Sequence, residues 1–180
     1  MAAEPSGAAT QTTAEKSFIA SLARCDNFPA MELSGPRVRT EVQVMFFDTD
    51  CGGVVHNIAY LRFIEIARTL LAEQLGLGLS EMVRSQRYPV VVRTEIDYRR
   101  AAQLGDRLVI DGWLQRVERV RFWCSFRILR PVDGITIADC RQMLALVQMP
   151  GGKLLRLPDS WEQYRIPTSD SSSSSPVRKR

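Results

Sequence analysis

A single histidine among 180 residues narrows the chemistry this chain can perform. Any Ser-His-Asp device would have to use His56, and no Gly-x-Ser-x-Gly elbow accompanies it. Cysteine is scarce too. Cys25, Cys51, Cys124 and Cys140 show neither CxxC nor Cys/His spacing, so no zinc or other metal site is expected. Four cysteines in a chain this long do not make a disulfide scaffold, and no secretory leader pattern is evident, so they read as reduced thiols in a cytoplasmic protein. The N-terminus is rich in Ala, Ser and Thr, but it carries Glu4 and Glu15 and has no arginine before Arg24, which is a weak transit-peptide pattern. No apolar run approaches the roughly 20 residues of a membrane span. The net charge of +4, part of it in Arg178-Lys179-Arg180, is too mild to point to nucleic acid.

What is present is ordinary globular material. With 45% hydrophobic and 24% charged residues, the chain can bury one sizeable core. Residues 1–35 are small and polar and end in the breakers Asn27-Phe28-Pro29 and Gly35-Pro36, so a flexible segment is expected there, with a short helical turn at 17–23. Residues 36–160 form the expected domain. Residues 161–180, with the run Ser171 to Ser175 and a basic end, read as a disordered tail.

Within the domain, residues 37–47 alternate. Val38, Thr40, Val42, Val44 and Phe46 face one way, and Arg37, Arg39, Glu41 and Gln43 the other, as in a strand with one solvated face. A turn at 48–55 leads into one long helix from 57 to about 77, stopped by Gly76 and Gly78. Its polar stripe of Arg62, Glu65, Thr69 and Glu73 is narrow, so the spacing predicts a helix buried on most of its circumference. Strands are expected at 88–99, 107–115, 120–129 and 135–148, with a short segment at Leu154-Leu155. Short connections among them predict antiparallel neighbours. The fold class is α+β: a sheet of about five strands wrapped around one central helix, with open edges that favour pairing with a second copy. Trp113, Phe122, Trp123 and Phe126 read as core or interface residues.

The stretch from Phe47 to Arg68, FDTDCGGVVHNIAYLRFIEIAR, is where the rest of the chain is expected to build a pocket. It places carboxylates, two glycines and a helix N-terminus within ten residues. From the residues alone, Asp48 and Asp50 read equally as turn caps or as reacting groups. Gly52 and Gly53 serve either a tight turn or the close approach of a ligand.

The run Asp48-Thr49-Asp50-Cys51-Gly52-Gly53-Val54-Val55-His56-Asn57, followed by Tyr60-Leu61, Phe63, Glu65 and Ala67-Arg68, resembles the hot-dog-fold thioesterases. The similarity is to the branch of 4-hydroxybenzoyl-CoA thioesterase and the YbgC-type acyl-CoA thioesterases, whose signature is an Asp-x-Asp-x-x-Gly-x-Val turn entering a long helix. The resemblance implies hydrolysis of an acyl-CoA thioester to a carboxylic acid and CoA, without cofactor or metal. It places the catalytic carboxylate on Asp50, as nucleophile or general base. It places the carbonyl-polarising donor on the backbone N–H of Asn57. His56 would line the pocket or orient Asp50, and Glu65 is the reserve carboxylate, since some hot-dog thioesterases use a helix glutamate. Cys51 lacks a basic partner other than His56, and the family uses no cysteine there. Gly53, Val54, Val55 and Tyr60 are expected to line the substrate site. Arg116, Arg119 and Arg121 are expected to meet the CoA phosphates, with Arg99-Arg100 as the second cluster. A homodimer or homotetramer with sites at the protomer interface is implied, and acyl carrier protein is a candidate partner. The alternatives are a non-catalytic acyl-binding module, or a hydratase of the same fold, whose Asp-x-Asn-x-x-His pattern this chain lacks.

Overall fold

The computed structural model describes residues 35–165. The expected turn at 17–23 and the Ser-rich run lie outside these residues. The elements are β1 (Arg37–Gln43), α1 (Asn57–Gln74), α2 (Leu79–Ser85), β2 (Arg87–Tyr98), β3 (Arg107–Val117), β4 (Arg121–Arg130), β5 (Ile135–Gln148) and β6 (Lys153–Leu154), with short 3-10 turns at Phe46–Asp48 and Asp159–Tyr164. The strands form one six-stranded antiparallel sheet in the order β1-β3-β4-β5-β2, with β6 on β5. Together with α1 this is the α+β hot-dog architecture expected from the sequence.

Alternation explains the sheet. Leu108, Ile110 and Leu114 of β3, Phe122, Phe126 and Ile128 of β4, and Ala138, Leu144 and Leu146 of β5 are buried in one core with Phe63, Ile64, Ala67 and Leu71 of α1. The opposite face is charged and cross-linked: Arg39 pairs with Asp111, and Arg127 and Arg99 share Asp139. The four aromatics divide by parity. Phe122 and Phe126 are core, whereas Trp113 and Trp123 stand on the outer face near the guanidiniums of Arg37 and Arg141.

Several expectations need correction. The first strand ends at Gln43, and Phe46 is not an inward residue but 81% exposed, because the chain has already entered the 3-10 turn that buries Asp48. The helix α2 was not anticipated; its seven residues lie between the glycine stop and β2. Strands β2 and β3, consecutive in sequence, are not neighbours. They lie on opposite sides of the β4–β5 pair, so residues 99–106 must cross the end of the sheet. In the single chain α1 is buried on one side only. It packs chiefly on β3 and β1 and leaves Ile58, Leu61, Ile66 and Leu70 exposed. The domain also runs past residue 160: Trp161 is buried, its ring edge-on to Phe122 and its Nε1–H donating to the Leu75 carbonyl at 3.2 Å.

Candidate active site

The loop between the first 3-10 turn and α1 closes on itself as a small hairpin. The Asp50 N–H donates to the Val54 carbonyl at 2.9 Å, Thr49 bridges Val55, and the His56 N–H donates to the Asp48 carbonyl at 3.0 Å. Gly53, at φ +73°, occupies the left-handed conformation this tight turn requires. The tight-turn reading of this glycine therefore holds.

The two aspartates have separate tasks. Asp48 is buried, accepts the Met45 N–H at 2.9 Å and meets the Arg62 guanidinium, which also lies over the Phe47 ring. It caps the 3-10 turn and is occupied by the fold. Asp50 is exposed. Its Oδ1 accepts the Gly52 N–H at 2.8 Å and the Val54 N–H at 3.4 Å, and among the described residues nothing donates to Oδ2. One oxygen orients the carboxylate while the other faces solvent.

His56 is the N-cap of α1. Its Nδ1 accepts the Ala59 N–H at 3.2 Å, which assigns the ring proton to Nε2, 3.4 Å from the Phe47 carbonyl. The cap uses Nδ1, and the contact with the Phe47 carbonyl uses Nε2. Because the cap serves the third helical residue, the N–H groups of Asn57 and Ile58 at the helix start are left without intrahelical acceptors. They point out of the positive end of the helix dipole.

The remaining candidates are spread more widely. Val55 is buried and Val54 half-buried in the hairpin. Tyr60, expected at the substrate, is buried: its hydroxyl oxygen accepts the Ala102 N–H at 3.0 Å, and burial pushes its pKa up. It fastens the crossing segment to the helix. Glu65 stands two turns along α1, about 12 Å from its start, with its carboxylate 3.0 Å from Arg68. Arg116, paired with Glu118, and the exposed Arg119 and Arg121 border the β3–β4 turn. That turn packs near Leu157 and Trp161 at the C-terminal end of α1, far from Asp50 of the same chain. Arg99 and Arg100, the second cluster, begin the crossing segment at the Asp50 end. Sequence reasoning missed Tyr98. It is half exposed, tilted against the Tyr60 ring at 5.4 Å, with its hydroxyl 3.5 Å from the Asn57 carbonyl. A contact spanning 41 residues leaves no local signal.

Cys51 is exposed beside Asp50, whereas burial pushes the Cys124 and Cys140 thiols up to about 12, so both stay protonated. Among the described residues no three His, Cys, Asp or Glu side chains gather as a metal site, and no helix is long and apolar enough to cross a membrane.

Comparison with known proteins bears on this geometry. Residues 44–163 match the profile of the Thioesterase-like superfamily. The acyl-CoA thioesterase YbgC of Haemophilus influenzae is 36% identical over 90 residues, covering 49% of this chain and 66% of that protein. The 1,4-dihydroxy-2-naphthoyl-CoA hydrolase of Synechocystis is 25% identical over 123 residues, covering 68% of this chain and 89% of that protein. The crystal structure of the Synechocystis 1,4-dihydroxy-2-naphthoyl-CoA thioesterase Slr0204 superposes with a TM-score of 0.64 over 72% of this chain and 95% of that one, at 24% identity, a likeness of fold. The hairpin with its exposed Asp50, the helix entered behind it and the sheet that holds both lie within the matched stretch, and the chain belongs to the thioesterase-like superfamily of hot-dog proteins, among relatives that include the YbgC acyl-CoA thioesterases.

Proposed function

We propose that this protein hydrolyses an acyl-CoA thioester with Asp50 as its reacting carboxylate. The observation that carries the reading is the division of labour between the two aspartates: Asp48 is consumed by the fold, and Asp50 is oriented through Oδ1 and open at Oδ2. As general base, Asp50 takes a proton from water while the water oxygen attacks the thioester carbon. As nucleophile, its Oδ2 attacks that carbon and water later cleaves the anhydride. On either route the carbonyl oxygen gains negative charge and the C–S bond breaks, releasing CoA. The Asn57 N–H at the start of α1 is the donor for that charge, and one such donor contributes about 2.7–4 kcal/mol in the transition state.

We place the acyl part beside the exposed Leu61 of α1 and the half-exposed Tyr98 at the end of β2, whose hydroxyl lies 3.5 Å from the Asn57 carbonyl. Because α1 sits over the β1–β3 half of the sheet, this side is uncovered in one copy. A second copy laid against the β2 edge, with its exposed Val90, Val91 and Val92, would close it. Arg116, Arg119 and Arg121 then serve a CoA bound by another copy, since their own Asp50 lies at the opposite end of α1. Arg99 and Arg100 flank the site within the same chain. Acyl carrier protein is a further thioester carrier that fits such a site.

The test is turnover of a panel of aromatic and aliphatic acyl-CoAs by the wild type and by Asp50→Ala. We expect kcat to fall about 10²–10⁴-fold in the variant with the fold intact. Wild-type turnover by Asp50→Ala would overturn the assignment. A wild type inactive on every thioester would point instead to an acyl-binding module.

A further inference from the structure

The crossing segment 99–106 is more than a connection. From Ala102 onward it grips the catalytic loop at successive points. The Val55 N–H donates to the Ala102 carbonyl at 2.8 Å, Gln103 bridges Val54, and the Leu104 N–H reaches the Gly53 carbonyl at 3.3 Å. The Gly105 N–H donates to the Val44 carbonyl at 3.0 Å, and the Val44 N–H returns a bond to the Asp106 carbonyl at 2.8 Å. The chain segments leading to and from Asp50 are thus both clamped by one short turn.

That turn is shaped by a single carboxylate. Asp106 Oδ2 accepts the Gln103 N–H at 2.9 Å and Arg130 Nη1–H at 3.1 Å. Arg130 is itself fixed, its Nε–H donating to Asp133 Oδ2 at 2.9 Å on the β4–β5 hairpin, and its side chain is only 19% exposed. The hydrogen bond from Arg130 holds the Asp133 carboxyl below the usual aspartate range. The path Arg130, Asp106, Gln103, Val54, Asp50 Oδ1 is continuous, each step a hydrogen bond or a bridge.

We propose that Asp106, anchored by Arg130, is a positioning residue that sets the angle of the Asp50 carboxylate against the N-terminus of α1. The proposal rests on the reading of Asp50 as the reacting group. A clamp so placed acts on the orientation of Asp50 and not on the grip on CoA, so its removal lowers kcat and leaves substrate affinity unchanged.

The experiment compares Asp106→Ala, Asp106→Asn and Arg130→Met in the wild-type background and in Asp50→Asn, measuring kcat, KM and affinity for a non-hydrolysable acyl-CoA thioether. In the wild-type background we expect Asp106→Ala and Arg130→Met to lower kcat by about 10- to 100-fold, the scale of a roughly 1 Å misplacement, with KM and thioether affinity unmoved. Asp106→Asn keeps an oxygen for the Gln103 N–H and should recover most of the loss. In the Asp50→Asn background the same changes should add nothing, because the group they position is gone. An equal loss in both backgrounds, weaker thioether binding in step with kcat, or an unchanged kcat in the wild-type background would each overturn the proposal. Should Asp106→Ala fail to fold, Arg130→Met, which leaves the Asp106–Gln103 bond in place, carries the same comparison. Full activity of Asp50→Asn alone would refute the reading of Asp50 instead, which keeps the two failures distinct.

Discussion

The two ends of α1 are built on opposite principles. At the C-terminal end Leu71, Leu75 and Leu77 of the chain meet Phe122 and Trp161 in close apolar packing, and Gly76 at φ +76° ends the helix. At the N-terminal end the partners are backbone groups. A glycine hairpin, a histidine cap and a crossing segment hold one another by hydrogen bonds, and Asp50, Cys51, Gly52 and Gly53 stay exposed. Packing is non-directional and excludes water, so it stabilises without leaving a group free to react. A hydrogen-bonded loop fixes directions while keeping polar groups at the surface, which suits an end that must aim a carboxylate. The first end is held by packing, and the second, under the proposed function, is the reacting one.

Substitutions at each end test this division. The largest effect on stability belongs to Trp161→Ala, which removes a buried ring and its bond to the Leu75 carbonyl. Urea titration should show a loss of about 3–5 kcal/mol, with kcat per folded molecule unchanged. A matching loss of kcat would mean that the two ends are not separate. Gly53→Ala tests the other end. No atom lies in the way of the added Cβ, so the penalty is the left-handed φ alone, roughly 1–2 kcal/mol. Here kcat should fall as well, because Gly53 sits between Asp50 and its Val54 donor; loss of stability with full activity would contradict the role given to the loop.

The smallest effect concerns the outer face, remote from both ends. Burial raises the Asp139 pKa, but hydrogen bonds from Arg127 and Arg99 outweigh it, so the carboxyl titrates below the ordinary aspartate range. A depressed folded-state pKa contributes stability that is complete above the unfolded value of about 4 and is lost as the pH falls below it. Asp139→Asn should therefore destabilise by about 1 kcal/mol or less at neutral pH. The difference from wild type should shrink as the pH drops below about 4. A difference that grows on acidification would show the pair to be arranged otherwise.

Much of this was legible in the sequence wherever the signal was local. The alternation of β1, the strand at 135–148 and the long helix from Asn57 read directly as elements, because propensity and side-chain period act over a few residues; how much of the helix is buried did not. The hairpin at Asp50 was legible from its glycines. The residues alone did not separate Asp48 from Asp50, since both are aspartates in one turn, and only the family resemblance favoured Asp50; burial of the first against Met45 and Arg62 gives Asp48 a structural task. The resemblance ranked the arginines at 116–121 ahead of those at 99–100, but position along the chain does not tell which of them lies near Asp50, because that depends on which end of the sheet each turn occupies. Phe46 misled for a related reason: the alternation continued in the sequence after the backbone had left the strand.

The local sequence was enough for the long helix and the main strands, though not for α2, and for the meeting of a carboxylate, two glycines and a helix start, because propensity, period and turn chemistry act over a few residues. That β2 lies across the sheet from β3, so that residues 99–106 cross the end of the sheet and clamp the loop bearing Asp50, emerges only once the strands are assembled. Strand order follows from how two faces of a sheet bury their side chains together, and neither strand carries that information by itself.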